Sequence, residues 1–307
     1  MAGYHEADAD RRVDLEPAAL EALLGDDPLT QGIIGTKMAP FRESAGNAGA
    51  IYTIDFATLG VKGVSALRGI GGRPASIPYN ETPVAYTCQP YALETFLDLS
   101  VLRKAKDPTK RENGALWRIA RDWKLLHEAR VIAALNAGLA TMGPSGANWD
   151  QAAGTFIRAD ILTGVRTIAT NTQGLFRANV FAGGLQLFQV LELAPEMTNL
   201  IGGLLKLSEL NGGQIVGWLQ EQGFEYALIG SSPNWLTLND VYLLHVSPEG
   251  MAAEEAVDTI STVYNGEEPL EVWNYTEYGK RINYAVEAWT DEQVVYPATG
   301  IIIQNVF

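Results

Sequence analysis

The chain has 307 residues, with 22 Lys and Arg against 36 Asp and Glu for a formal charge of −14, and is 47% hydrophobic with only 19% charged residues. That much apolar side chain can offset the entropy of ordering, which excludes a wholly disordered protein. The acidity excludes a protein that binds phosphates over its whole surface, because such binding needs clustered Lys and Arg.

The first 45 or so residues are polar, acidic at the start, and punctuated by Pro17, Gly25, Pro28, Gly32, Gly35 and Pro40, with one apolar helical patch at Ala18 to Leu24. This reads as an extended arm. No stretch approaches the roughly 18 uninterrupted apolar residues of a bilayer span, and Met1 to Leu15 is acidic where a secretory signal is cationic and then apolar. A soluble chain with no membrane partner, not exported by that route, is expected. From Ala50, Ile51, Tyr52, Ile54 and Phe56 give a β pattern. Gly60, Gly63, Gly69, Gly71, Gly72 and Pro74 follow, before a second β run at Val84 to Cys88. Two strands joined by a long glycine-rich excursion fit this best, and such a loop asks for an external partner to order it. Cys88 is the only cysteine. It can neither close an internal disulfide nor build a zinc site, and its neighbours Ala85, Tyr86 and Tyr91 predict a buried structural thiol.

Asp107-Pro108-Thr109-Lys110-Arg111-Glu112 is a helix start, with Thr109 and Glu112 at capping-box spacing and Pro108 suited to the first helical position. Ala115 to Leu139 then reads as an amphipathic helix. Leu116, Ile119, Trp123, Leu126 and Ala133 fill its apolar face, and Arg118, Arg121, Asp122, Lys124 and Glu128 its polar face. Further helices are expected at about 151–170, 185–193 and 208–222, and short strands at 177–181, 224–229 and 241–246. The stretch 270–307 is rich in β-branched and aromatic residues and reads as strands. This order predicts an α+β fold.

Charge is uneven along the chain. Val101 to Arg130 holds nine basic residues (Arg103, Lys104, Lys106, Lys110, Arg111, Arg118, Arg121, Lys124, Arg130) and four acidic ones, whereas eleven acidic residues between Glu249 and Glu292 face only Lys280 and Arg281. Opposite signs in separate regions suit contact between copies of one chain.

No catalytic constellation emerges. Gly143-Pro144-Ser145-Gly146 lacks the spacing of a nucleophile elbow, and His5, His127 and His245 have no companions at metal-ligand spacing, so neither a metal nor a cofactor is expected. His127, beside Glu128, is expected at a surface or interface. Gly69-Ile70-Gly71-Gly72 leads into Arg73-Pro74 rather than a helix, and Gly212-Gly213 lacks the strand and Lys-Ser/Thr of a phosphate loop. Asp160 has no partner carboxylate nominated by spacing.

The order of elements nevertheless resembles a known family. An arm, a long β excursion, Val84-Ala-Tyr-Thr-Cys-Gln-Pro-Tyr-Ala-Leu93, a helix carrying Arg118, Asp122 and Arg130, then Asn148-Trp149-Asp150 leading into Asp160-Ile161 are similar to the tailed-phage major capsid proteins of the Hong Kong 97 fold. Arg177-Ala-Asn-Val180, Leu210 to Gly223, Glu225 to Gly230, Asp240 to Val246 and the closing stretch Gly279 to Phe307 continue the likeness. The resemblance implies an arm (1–47), an extended loop (48–98), a peripheral domain (99–174 and 271–307) built on a spine helix at 115–139, and an axial domain (175–270). It implies no enzyme activity. It also implies self-assembly into pentamers and hexamers of an icosahedral shell around double-stranded DNA held without sequence specificity. Portal and scaffolding or decoration proteins are then the partners, with a location in the virion capsid after synthesis in the host cytoplasm. No fused scaffolding extension is expected.

Arg118, Arg121, Lys124, Arg130, Lys62 and Arg73 are the residues expected to touch neighbouring copies, the helix arginines pairing with acidic residues there in preference to DNA. Some members join subunits through a Lys–Asn isopeptide bond. Lys62 lies in the loop, but no Asn or carboxylate is nominated to meet it, and no crosslink is expected. The alternatives are an encapsulin-like compartment for a cargo enzyme and a soluble α+β enzyme.

Overall fold

The computed structural model describes residues 13–14, 32–54, 56, 81–106, 108–151, 155–202, 210–248, 251, 256–266, 269–277 and 279–307. Most of the arm and of the glycine-rich excursion, with Lys62 and Arg73, lies outside the described residues.

The longest helix, α3 (Pro108–Gly138), organises the rest. It follows α1 (Gly35–Met38) and α2 (Leu99–Lys104). Pro108 opens α3 as the sequence suggests, where its missing N–H costs no helical bond. The backbone at Thr109 is already helical, and Glu112 engages the Tyr284 side chain.

A six-stranded sheet contains β1 (Val13–Asp14), β11 (Glu271–Glu277), β12 (Arg281–Val294), β10 (Ile260–Tyr264) and β2 (Phe41–Glu43) in that order, with β5 (Gln89–Asp98) also on β12. β12 spans 14 residues and is antiparallel to β5, β10 and β11. Its even-numbered side chains Val286 and Ala288 meet Ile119, Ala120 and Trp123 of the first half of α3.

A five-stranded sheet has the order β6 (Thr141–Met142), β13 (Ile301–Ile303), β9 (Val241–Leu244), β7 (Val180–Gly184), β8 (Tyr226–Gly230). Its strands are near-continuous apolar runs because both faces are covered. On one face Phe181, Leu243, Ile301 and Ile303 pack against α4 (Ile157–Asn171), α5 (Leu185–Leu193) and α6 (Gly212–Glu221). On the other, Ala182, Tyr242, Leu244 and Ile302 pack against Val131, Ile132 and Leu135, the second half of α3. One helix thus roofs two sheets in succession. β3 (Ala48–Ile54) and β4 (Glu81–Thr87) form a separate antiparallel hairpin, the pair of strands expected to flank the excursion. No helix among the described residues is long and apolar enough to cross a membrane.

The helix expected from about 151 begins instead at Ile157. Its first free amides, Ile157 N and Arg158 N, donate to the Glu196 carboxylate at 2.6 and 3.2 Å, a cap supplied from 39 residues away. At α6 the cap is local: Asn211 and Gln214 form a reciprocal capping box. The strand expected at 177–181 runs from Val180 to Gly184.

Gly230 closes β8 against the Trp235 indole, where an added Cβ would lie 2.3 Å from Cγ and Cδ1. Gly230→Ala is expected to displace that fully buried ring and lower the unfolding free energy by about 1–3 kcal/mol, read from the urea midpoint of the purified chain.

Candidate inter-subunit surfaces

The changeover of α3 between the two sheets falls at residues 124–128, and it is polar. Lys124, His127 and Glu128 are all buried, whereas Leu126 is 50% exposed. The polar face expected of this helix is therefore rotated inward here, because the helix is covered from two directions at once.

Glu128 collects four donors from two distant parts of the chain. Its Oε1 accepts from Ile34 N at 2.7 Å and Trp235 Nε1 at 2.9 Å; its Oε2 accepts from Asn234 Nδ2 at 3.1 Å and from the Ser232 hydroxyl. The segment 32–43 thereby becomes a strap. Gly32 O accepts from Ser231 N, Gly35 passes so close that a Cβ would lie 2.7 Å from Glu128 Cα, and Met38 is fully buried. β2 then pairs in parallel with β10, and the Phe41 ring stacks on Trp123 and His127. The end of the arm is thus anchored to both sheets and to the helix between them.

His127 is fully buried, not at a surface as expected. Its Nε2 lies 2.8 Å from Thr262 Oγ1, and since that hydroxyl donates to Ala39 O, the imidazole proton belongs on Nε2. Burial, and secondarily the Arg130 charge, lower its pKa from 6.5 to about 3. The 3.7 Å approach to Glu292 Oε1 is accordingly a contact of neutral imidazole with a carboxylate already claimed by Arg130.

Arg130, which the charge pattern offers to a neighbouring copy, is bound within its own chain. Nε and Nη2 donate to both Glu292 oxygens at 2.9 and 3.1 Å, and the guanidinium carbon lies 3.8 Å over the Tyr91 ring. Lys124 is 4% exposed. Arg118 and Arg121 do reach solvent, Arg121 beside Asp122 at 3.5 Å. Spacing could have set Arg130 apart, since it lies on the same side of α3 as Ile119 and Trp123, which pack on β12; it could not have set Lys124 apart from Arg118 and Arg121.

Other singled-out residues are structural. Cys88 is buried with its thiol 3.7 Å from Val263 O, and burial raises its pKa. Asp160 is fully buried and accepts from Ser145 N and Trp149 Nε1, each at 2.9 Å, and from the Ser145 hydroxyl. It ties the loop after β6 to α4. His245 Nδ1 lies 2.8 Å from Arg177 O. Among the described residues no group of three or more His, Cys, Asp or Glu could hold a metal.

The β3–β4 hairpin is largely uncovered. Only Thr53 and Tyr86 of its fourteen residues are buried, and Tyr52 is 64% exposed.

No family model matches the chain, and no curated protein sequence matches it. Solved structures do. A phage-related protein from Bordetella bronchiseptica RB50 is similar over 96% of this chain and 98% of its own, with 18% identity and a TM-score of 0.73. The chain has the Hong Kong 97 capsid fold. The holo-SrpI encapsulin complex of Synechococcus elongatus PCC 7942 is similar over 95% of this chain and 96% of its own (10% identity, TM-score 0.53). The capsid of cyanophage P-SCSP1u is similar over 99% and 92% (10% identity, TM-score 0.52).

Two expected outcomes follow from the buried polar residues of α3. Glu128→Ala leaves four donors without an acceptor and is expected to cost about 3–5 kcal/mol in urea unfolding and to open 32–43 to limited proteolysis. For His127 the folded pKa lies below the unfolded one, so between pH 6.5 and 3 only the unfolded chain takes up the proton, and stability falls as pH falls through that window. Between pH 7 and pH 5 the wild type is expected to lose about 2 kcal/mol more than His127→Gln, measured as the difference in their unfolding free energies.

Proposed function

We propose that the chain is the major capsid protein of a tailed phage, whose copies assemble as pentamers and hexamers into an icosahedral shell around double-stranded DNA. The observation that supports this most directly is the β3–β4 hairpin. Twelve of its fourteen residues are not buried, and an isolated two-stranded hairpin is marginal in water. Packing against a second copy covers it. On this reading residues 1–47 are the arm, 48–98 the extended loop, 99–174 with 271–307 the peripheral domain, and 175–270 the axial domain around which copies gather.

Lys62 and Arg73 of the loop then meet the neighbouring copy, and the ordering entropy of the arm is offset on assembly. Portal and scaffolding or decoration proteins are its further partners, its place is the virion capsid after synthesis in the host cytoplasm, and it performs no catalysis.

A second reading, a compartment enclosing a cargo enzyme, draws on the encapsulin similarity. The higher TM-score of the phage-related protein favours the phage shell.

Negative-stain microscopy of the purified chain is expected to show closed shells tens of nanometres across. A uniform monomer in size-exclusion chromatography overturns the assignment. Replacing 48–87 by a short Gly-Ser linker is expected to leave a folded chain, by circular dichroism, that no longer forms shells.

A further inference from the structure

Among the described residues, three buried side-chain polar atoms have no hydrogen-bond partner: Trp123 Nε1, His127 Nδ1 and Ser261 Oγ. Two of them lie one turn apart on α3. Trp123 is 1% exposed and His127 0%, and their rings are stacked, with centroids 5.2 Å apart and planes 8° from parallel. Ser261 belongs elsewhere, because Thr262 is the β10 residue that meets His127 and its neighbour along the strand points to the opposite face. Buried polar groups are rarely left unpaired, so two on adjacent turns ask for a common explanation.

The two atoms are complementary in kind. Indole Nε1 is a donor only, and with the imidazole proton on Nε2, His127 Nδ1 is an acceptor. They cannot bond to each other directly, because the N–H and the lone pair each lie in their own ring plane, and in stacked parallel planes these directions never meet head-on. The rest of the stack offers no substitute: Phe41 lies 6.4 Å from Trp123 and 5.6 Å from His127, ring to ring, and carries no polar side-chain atom. Arg130 and Glu292 are engaged with each other on the Nε2 side. The missing partner must therefore accept from one nitrogen and donate to the other. A cation cannot accept, and an unprotonated anion cannot donate. A water molecule does both, and its two bonds of about 2.9 Å reach across about 5.8 Å.

We propose that one internal water bridges Trp123 Nε1 and His127 Nδ1. It completes a chain of bonds that all run in one sense: Trp123 to water, water to His127 Nδ1, His127 Nε2 to Thr262 Oγ1, and Thr262 Oγ1 to Ala39 O. The water thus holds His127 in the tautomer that the Thr262 contact needs, and links α3 through β10 to the strap. The site belongs to the folded chain and does not rest on the capsid reading.

The direct test is an experimental density map of the wild-type chain, assembled or not, that shows ordered waters. A single peak within about 2.7–3.2 Å of both nitrogens is expected. Ultraviolet resonance Raman spectroscopy, which reports indole N–H hydrogen bonding, tests the same point in solution. Subtracting the spectrum of Trp123→Phe from that of wild type isolates this indole among the seven tryptophans. Its signal is expected at the hydrogen-bonded position in wild type and shifted toward the unbonded position in His127→Phe, which keeps a ring in the stack but removes the acceptor. A map without the peak, an unbonded indole in wild type, or a bonded indole that His127→Phe leaves unchanged overturns the bridge. Where either variant fails to fold by circular dichroism, the wild-type map decides alone.

Discussion

A helix that is covered by one sheet over its first half and by another over its second must turn polar side chains inward at the changeover, and the joint of this fold is arranged around that constraint. At residues 124–128 the two apolar cores meet, and neither can be continued through the other. The chain fills the joint with polar groups whose partners come from both sides. Burying a carboxylate without a cation costs several kcal/mol unless its lone pairs are occupied. Glu128 meets that condition with four donors from residues 34, 232, 234 and 235. The result is directional. An apolar joint would tolerate sliding of one sheet relative to the other, whereas four short bonds to one carboxylate do not.

The same joint makes the strap part of the body. Segment 32–43 is too short and too thinly apolar to fold alone, but it contributes one donor to Glu128, one ring to the stack on His127 and one parallel strand to β10. His127 is kept neutral there, so the stack of Phe41, His127 and Trp123 holds no charge that would need hydration. The end of the arm is consequently held at Gly32, beside Ser231.

How far the sequence could be read follows from where each partner lies. Helix existence and the order of elements were legible because their signals are local: Pro108 opens α3, the apolar run 185–193 is α5, and Asn211 caps α6 through Gln214. The hairpin pairing was legible from two β-rich runs flanking glycines. The inward polar residues were not. Periodicity assigns Lys124 and Glu128 outward because it assumes one covered face, and Leu126 is exposed where the same assumption buries it. The partners of Glu128 and Arg130 lie 94 to 162 residues away, and no local spacing announces them. The start of α4 shows this in miniature, since its cap is Glu196. Of the arginines expected at a contact, the one consumed internally, Arg130, is distinguished only by facing β12.

The charge balance then acquires a physical sense on the capsid reading. A shell of like-charged copies, each with a net −14, repels its contents and its exterior neighbours alike, which opposes adhesion but leaves a genome unsupported at the wall. Contact between copies must then be local, between regions of opposite sign such as the basic stretch 101–130 and the acidic stretch 249–292, because the average charge opposes it.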